Sequence, residues 1–269
     1  MIENYYPTLT GLDGAARAPA LLAEVVRAAA HMTARWMAAG FVHGVLNTDN
    51  MNITGESFDY GPYRFLPRND HNFVADNFDH SGLYSFGRQP EAVFWNLRQL
   101  AGALLPVSGE DPLVEALNGF SAAYREALPA AMIDRLGLLP QNPETDAALA
   151  GAAFRVLAEG GEAIRWEPFF FDWFCGEASE ARAMTGPRAA HYGGEAALAF
   201  RALLADRRPD RPERLANPYF RAPEPEELLY DEIESLWAAV AERDDWAPFE
   251  AKLAAIDKAT VAGGLMGEA

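Results

Sequence analysis

Between Phe41 and Arg88 the sequence loses its helical period, while the segments on either side keep one. The stretch FVHGVLNTDNMNITGESFDYGPYRFLPRNDHNFVADNFDHSGLYSFGR is rich in Asn, Asp, Gly and aromatic residues. Before it, in PALLAEVVRAAAHMTARWMAA, residues Leu22, Val25, Ala29, Met32 and Trp36 recur at intervals of three and four. That spacing predicts one face of a core helix over 19–39, with His31 beside the face and Gly40 as its C-terminal stop. Helical spacing resumes near 90–105, 112–136, 144–159, 193–206, 226–242 and 246–258, punctuated by breaks such as PERLANPYFRAPEPEE. The pattern predicts a mainly α, single domain over 1–269 with one irregular polar loop near its start. Loops this long are uncommon in compact domains and often functional. Phe41–Val42 and Met51–Ile53 read as the strands of a short β-hairpin in that loop, and 260–269 reads as a fraying tail.

Composition narrows the classes of partner. Half of the residues are hydrophobic, enough for a sizeable core. The formal net charge is −17, which argues against nucleic acid and anionic membrane surfaces, both of which would repel the chain. No run approaches the ~18 apolar residues of a membrane span, and MIENYYPTLTG has neither the basic start nor the apolar stretch of a signal peptide. Cys175, the single cysteine, reads as a buried apolar residue in a reducing, cytoplasmic setting. Lysines occur only at 252 and 258.

Within the loop, residues 43 to 50 read HGVLNTDN and residues 59 to 61 read DYG. The protein-kinase catalytic loop reads H-R-D-L-x-x-x-N and is followed by D-F-G. His43, Leu46 and Asn50 match the first motif, and Asp59, Tyr60 and Gly61 match the second with Tyr for Phe. Where a kinase carries its catalytic Asp, this chain has Val45. Kinases hold magnesium with the Asn of the first motif and the Asp of the second, both oxygen ligands as magnesium demands. Asn50 and Asp59 stand in those places, and Asp49 adds a neighbouring carboxylate. On spacing alone the alternative is a solvated turn, since Asn and Asp favour turns.

Three other features have plainer readings. In DHNFVADNFDH the residues Asp70, His71, Asp76, Asp79 and His80 lie close in sequence, but their spacing fits a hydrogen-bonded loop better than a transition-metal site. The segment IRWEPFFFDWFC, residues 164 to 175, reads as an aromatic core, because few cations surround it. The APE of Ala222–Glu224 lies too far from Asp59 to be the kinase A-P-E.

The segments GFVHGVLNTDNMNITGESFDYGPYRFL and NFDHSGLYSFGRQPEAVFWNLRQLA, with the opening ENYYP, resemble the selenoprotein O family, also called the YdiU family. The resemblance implies a protein-kinase-like C-terminal lobe with a short β-hairpin at the metal loop. It implies ATP bound in a flipped orientation and AMP transferred to Ser, Thr or Tyr hydroxyls of protein substrates. It assigns Asp49 as catalytic base, Asn50 and Asp59 as ligands of magnesium (or manganese in its place), and Asp59 also to the nucleotide. The flipped nucleotide explains how the kinase base at position 45 can be lost while the metal ligands stay.

Family members carry a longer N-terminal region with the Gly, Lys and Arg residues that contact the phosphates. Here 42 residues precede His43, no G-x-G-x-x-G occurs, and no Lys precedes 252. An N-terminal lobe is therefore expected to be missing, and Val42, Val45 and Leu46 to be left poorly covered. The other reading is an inert, pseudokinase-like remnant or regulatory binding module.

Overall fold

The computed structural model of the chain describes residues 1–264. In chain order the helices are α1 (Ile2–Tyr5), α2 (Gly14–Ala39), α3 (Gln89–Leu104), α4 (Glu110–Arg135), α5 (Pro143–Gly160), α6 (Trp166–Asp172), α7 (Glu180–Ala183), α8 (Glu195–Leu204), α9 (Tyr230–Arg243) and α10 (Ala247–Gly263). The strands β1 (Phe41–Val42) and β2 (Arg64–Phe65) pair as a small antiparallel sheet. The protein is thus mainly helical, as the spacing predicts. The expected tail divides: residues 260–263 form the last turn of α10, and 265–269 lie outside the described residues. Among the described residues no helix is long and apolar enough to cross a membrane.

The chain forms two compact units. The first comprises Met1–Arg64 and Asp70–Ala131; the second comprises Phe65–Asn69 and the chain from Met132 onward.

In the first unit, α2 begins five residues before the expected start at Pro19. The Asp13 carboxylate accepts a hydrogen bond from Ala16 N at 2.8 Å and caps the first turn. Its end falls where the sequence put it, with Gly40 in the left-handed region at φ 65°. The predicted face is buried at Leu22, Val25, Ala29 and Met32 and half-buried at Trp36, and His31 is exposed. It packs with Val93, Leu97 and Ala101 of α3 and with Leu113 and Phe120 of α4. Leu46, from the loop, is drawn into the same cluster.

In the second unit α5 packs on α8, and the small residues Ala152 and Ala153 of α5 and Ala197 of α8 are buried. The aromatic segment is core, as its composition implies: Trp166, Phe169, Phe170 and Trp173 are each at most 2% exposed. Phe169 and Trp173 both lie against Phe200 of α8, at centroid distances of 5.2 and 5.6 Å. Cys175 is buried and adopts a left-handed backbone, φ 65°.

Among the described residues three cations are buried in this unit, each bound to carboxylates. Arg188 forks onto Asp172 through Nε at 2.7 Å and Nη2 at 2.9 Å, and Tyr192 donates its hydroxyl to the same carboxylate at 2.7 Å. Glu224, the last residue of APE, accepts from Arg188 Nη1 at 2.7 Å and from Arg165 at 3.2 Å. Arg207 pairs with Asp146. Lys252 of α10 is 6% exposed and donates to Glu226, to the Glu227 carbonyl and to Glu232.

Removing one partner of a buried ion pair strands the other charge, which typically costs about 3–5 kcal/mol. Arg188→Met should therefore destabilise the protein by about that amount in chemical denaturation. Tyr192→Phe, which deletes one hydrogen bond to a charged group, should cost less, about 1.5–3 kcal/mol.

Candidate functional site

The loop between α2 and α3 must satisfy backbone groups that neither helix nor extended sheet serves, and buried side chains do much of this. Gln89, fully buried at the start of α3, accepts from His43 N at 2.9 Å and donates to Phe41 O at 2.9 Å. Seven residues on, on the same side of the helix, Asn96 donates to Leu46 O at 2.8 Å. These two amides fix the first limb of the loop, residues 41–46, to α3. Gly44, at φ 89°, makes the turn between them. A Cβ there would approach the Ala75 methyl to 3.0 Å and the Pro62 ring to 3.2 Å, so the position favours glycine twice over.

This anchoring overturns the expectation of a poorly covered surface at Val42, Val45 and Leu46. Val42 and Leu46 are 0% and 1% exposed, and Val45 is half-buried. The most exposed apolar side chains of the loop are instead Phe58 at 81% and Phe78 at 87%, with Leu83 at 44%.

After Leu46 the chain turns outward. Thr48–Asn50 form one 3₁₀ turn, with Asp49 exposed at its centre. Asn50 Nδ2 donates to Val45 O at 2.9 Å, closing the loop on itself. The chain then doubles back. Asn52 N donates to Glu56 O and Phe58 N to Asn50 O, both at 2.9 Å, and Met51 bridges Ser57 in antiparallel sense. The hairpin expected here therefore forms differently from its sequence reading. Met51–Ile53 is not the partner of β1; that partner is Arg64–Phe65, and Met51 pairs with Ser57 instead. The short polar hairpin 50–58 leaves Asp59 one residue past the backbone pair Asn50–Phe58. Asp59 is exposed, and its Oδ1 accepts from Gly61 N at 2.8 Å.

The two limbs are tied internally by His43. Its ring is fully buried. Val45 N donates to Nδ1 at 3.3 Å, and Nε2 lies 2.7 Å from Ser57 Oγ. Trp36 and Tyr60 flank the ring at 5.4 and 5.8 Å between centroids. Burial pushes the His43 pKa below the usual histidine value, and the carbonyl and carboxylate of Asp59 only partly oppose it.

The acidic run further along closes turns, as a hydrogen-bonded loop requires. Asp70 accepts from Asn72 N and Asp76 from Phe78 N, both at 2.9 Å. Asp79 accepts from Leu83 N and Tyr84 N, both at 2.8 Å. Tyr84 then donates its hydroxyl to Asn47 Oδ1 at 2.6 Å, bringing this turn to the residue before the Asp49 turn. Burial, with Asp79 and Asp49 nearby, raises the Tyr84 pKa.

Among the described residues no group of three or more His, Cys, Asp or Glu side chains is placed to hold a metal. A magnesium site of the kinase kind needs fewer protein ligands, because phosphates and waters complete the shell. The donor set fits that role. Asn50 uses its amide nitrogen on Val45 O, which leaves Oδ1 as an acceptor, and Asp59 uses Oδ1 on Gly61 N, which leaves Oδ2. Both are hard oxygen donors, one on the half-buried Asn50 and one on the exposed Asp59. His43, Ser57, Gln89 and Asn96 carry the geometry of the loop, and only His43 stood out by motif. The available signal for the amides was two polar residues at a seven-residue interval on the core side of an otherwise amphipathic helix.

A family model described as "Protein adenylyltransferase SelO" matches residues 1–257. A Synechocystis protein named protein nucleotidyltransferase YdiU is 34% identical over 93% of this chain and 54% of its own length. A Bradyrhizobium protein of the same name is 34% identical over 93% of this chain and 51% of its own length. A Hahella chejuensis one reaches 44% identity over 53% of this chain and 29% of its own. The chain belongs to the SelO family. It spans about half the length of the two relatives that it matches nearly end to end.

The depressed His43 pKa has a signed consequence for stability. The unfolded state takes up a proton near pH 6.5, while the folded state resists it. The contribution of neutral His43 is therefore complete above about 6.5 and is lost as pH falls through that value toward the depressed one. Urea unfolding across that window should show the protein losing stability relative to His43→Gln as the solution is acidified.

Proposed function

We propose that this chain carries the base and metal ligands of a protein adenylyltransferase, in a kinase-like C-terminal lobe. The observation that carries the reading is the hairpin 50–58, which sets Asn50 and Asp59 at one end with Asp49 next to them. The family membership supports the same chemistry. ATP is the substrate, and the acceptor is a Ser, Thr or Tyr hydroxyl on another protein. The single buried cysteine suits a cytoplasmic setting.

In this reading the acceptor oxygen forms a bond to the α-phosphorus of ATP. The bond from that phosphorus to the oxygen bridging toward the β-phosphate breaks, and pyrophosphate leaves. The exposed Asp49 carboxylate takes the hydroxyl proton. Asn50 Oδ1 and Asp59 Oδ2 would hold magnesium or manganese, which when bound offsets the charge on the phosphate oxygens. The 3₁₀ turn and the Val45 carbonyl restrain Asn50, and the turn at Gly61 restrains Asp59, so little reorganisation is needed at the moment of reaction. The residues that cradle the phosphates come from a further N-terminal lobe, acting in cis or in trans.

The test follows label from α-labelled and γ-labelled ATP into protein. The 269-residue chain alone should transfer little. Supplying the N-terminal segment of a full-length relative should restore transfer of α-label and not of γ-label. Asp59→Ala should abolish it, and Asp49→Asn should lower it by about 10²–10⁴-fold, the usual contribution of a positioned base. Transfer of γ-label would mean a kinase. Binding of ATP without any transfer would mean an inert module.

A further inference from the structure

We propose that Ser57 is a positioning residue, whose hydroxyl sets the spacing between the metal-holding residues Asn50 and Asp59. This rests on the reading of that pair as the metal site. The hydroxyl lies within hydrogen-bond reach of three groups: His43 Nε2 at 2.7 Å, Asn50 O at 2.9 Å and Asp59 O at 3.1 Å. It therefore touches the backbone of both proposed ligands.

The direction of each bond follows from donor accounting. Val45 N donates to His43 Nδ1, so Nδ1 carries no hydrogen. In the neutral ring the hydrogen is then on Nε2, and it is donated to Ser57 Oγ. Ser57 is left with one hydrogen and two carbonyls in reach. Those carbonyls belong to Asn50 and Asp59, so one hydroxyl hydrogen is shared between the backbones of the two residues. The buried imidazole is held in turn by Trp36 and Tyr60 and by the Gln89 amide on its backbone. The chain of contacts runs from α3 through His43 and Ser57 to both ligand-bearing residues.

Removing the hydroxyl has two effects. His43 Nε2–H loses its acceptor in a buried site, and the Asp59 carbonyl loses its tie to the limb that carries Asn50. The hairpin bond from Phe58 N to Asn50 O remains, so the loop keeps its course while the spacing at its end loosens. Groups that orient metal ligands from behind typically change metal affinity by about 10–100-fold when mutated.

The test uses the full chain and Mn²⁺ as probe, read by paramagnetic broadening of the backbone amide NMR signals of Asn50 and Asp59. A site-resolved signal is needed because a chain of net charge −17 collects divalent cations elsewhere on its surface. Ser57→Thr, which keeps the hydroxyl, should leave the concentration for half-broadening within about threefold of wild type. Ser57→Val, of the same shape without the hydroxyl, and Ser57→Ala should raise it about 10–100-fold. Arg188→Met is the control: it should lower thermal stability without moving this concentration.

Equal Mn²⁺ binding by the Thr and Val variants would overturn the role of Ser57. So would a Thr variant that folds while Ala and Val variants unfold, since the hydroxyl would then serve stability alone. If Asp59→Ala broadens like wild type, the metal site itself is wrong. If Asp59→Ala loses broadening at Asn50 while Ser57→Val does not, the site stands and the proposal for Ser57 falls.

Discussion

The bidentate contact of Gln89 with the backbone of residues 41 and 43 is the constraint on which the first unit turns. A two-residue strand cannot satisfy its own polar groups, and buried backbone left unpaired is costly. The amide of Gln89 answers both Phe41 O and His43 N from the first turn of α3. With that limb fixed, Leu46 can enter the core, Asn96 can take its carbonyl, and the chain can leave for the exposed 3₁₀ turn at a defined place. Asp70, Asp76 and Asp79 apply the same solution further along, each carboxylate closing its own turn. The loop is polar because its side chains replace a missing hydrogen-bond ladder.

Much of the helical frame was legible in the sequence for a physical reason. Helices α2, α3, α4, α5, α8, α9 and α10 each carry an apolar stripe or a stop signal that a linear reading detects. The short α6 was visible only as an aromatic run, since seven residues are too few to show a period. The start of α2 was misplaced because Pro19 looks like a first-turn residue, whereas the Asp13 cap lies further upstream. In the loop, Asn50 and Asp59 stand at motif positions, with Asp49 beside them. The bracing of the loop was not legible, because Gln89, Asn96 and Ser57 act across sequence gaps that no local pattern reports. The error at Val42 and Leu46 has another origin: the lobe expected to be missing was taken to leave them bare, whereas both are buried within this chain, Leu46 in the cluster of α2 and α3.

The second unit handles charge differently from the first. Its aromatic core around Trp166 and Trp173 borders carboxylates whose burial without partners would be costly. Asp172 is 2% exposed and is held by one guanidinium and one phenol; Asp146 is met by Arg207. These buried pairs are a weak source of net stability, but each ties its helix to a later segment: Asp172 of α6 to Arg188 and Tyr192, and Asp146 of α5 to Arg207.

Lys252 has a practical consequence for anyone handling the protein. Of the two lysines, it alone is enclosed, with carboxylates of Glu226 and Glu232 and a backbone carbonyl around its ammonium. Lys258 is exposed on the same helix. Reagents that modify lysine side chains thus meet one open target, Lys258. A fluorophore, a biotin or a surface linkage attached this way would sit at one known place, outside the loop that carries Asp49, Asn50 and Asp59.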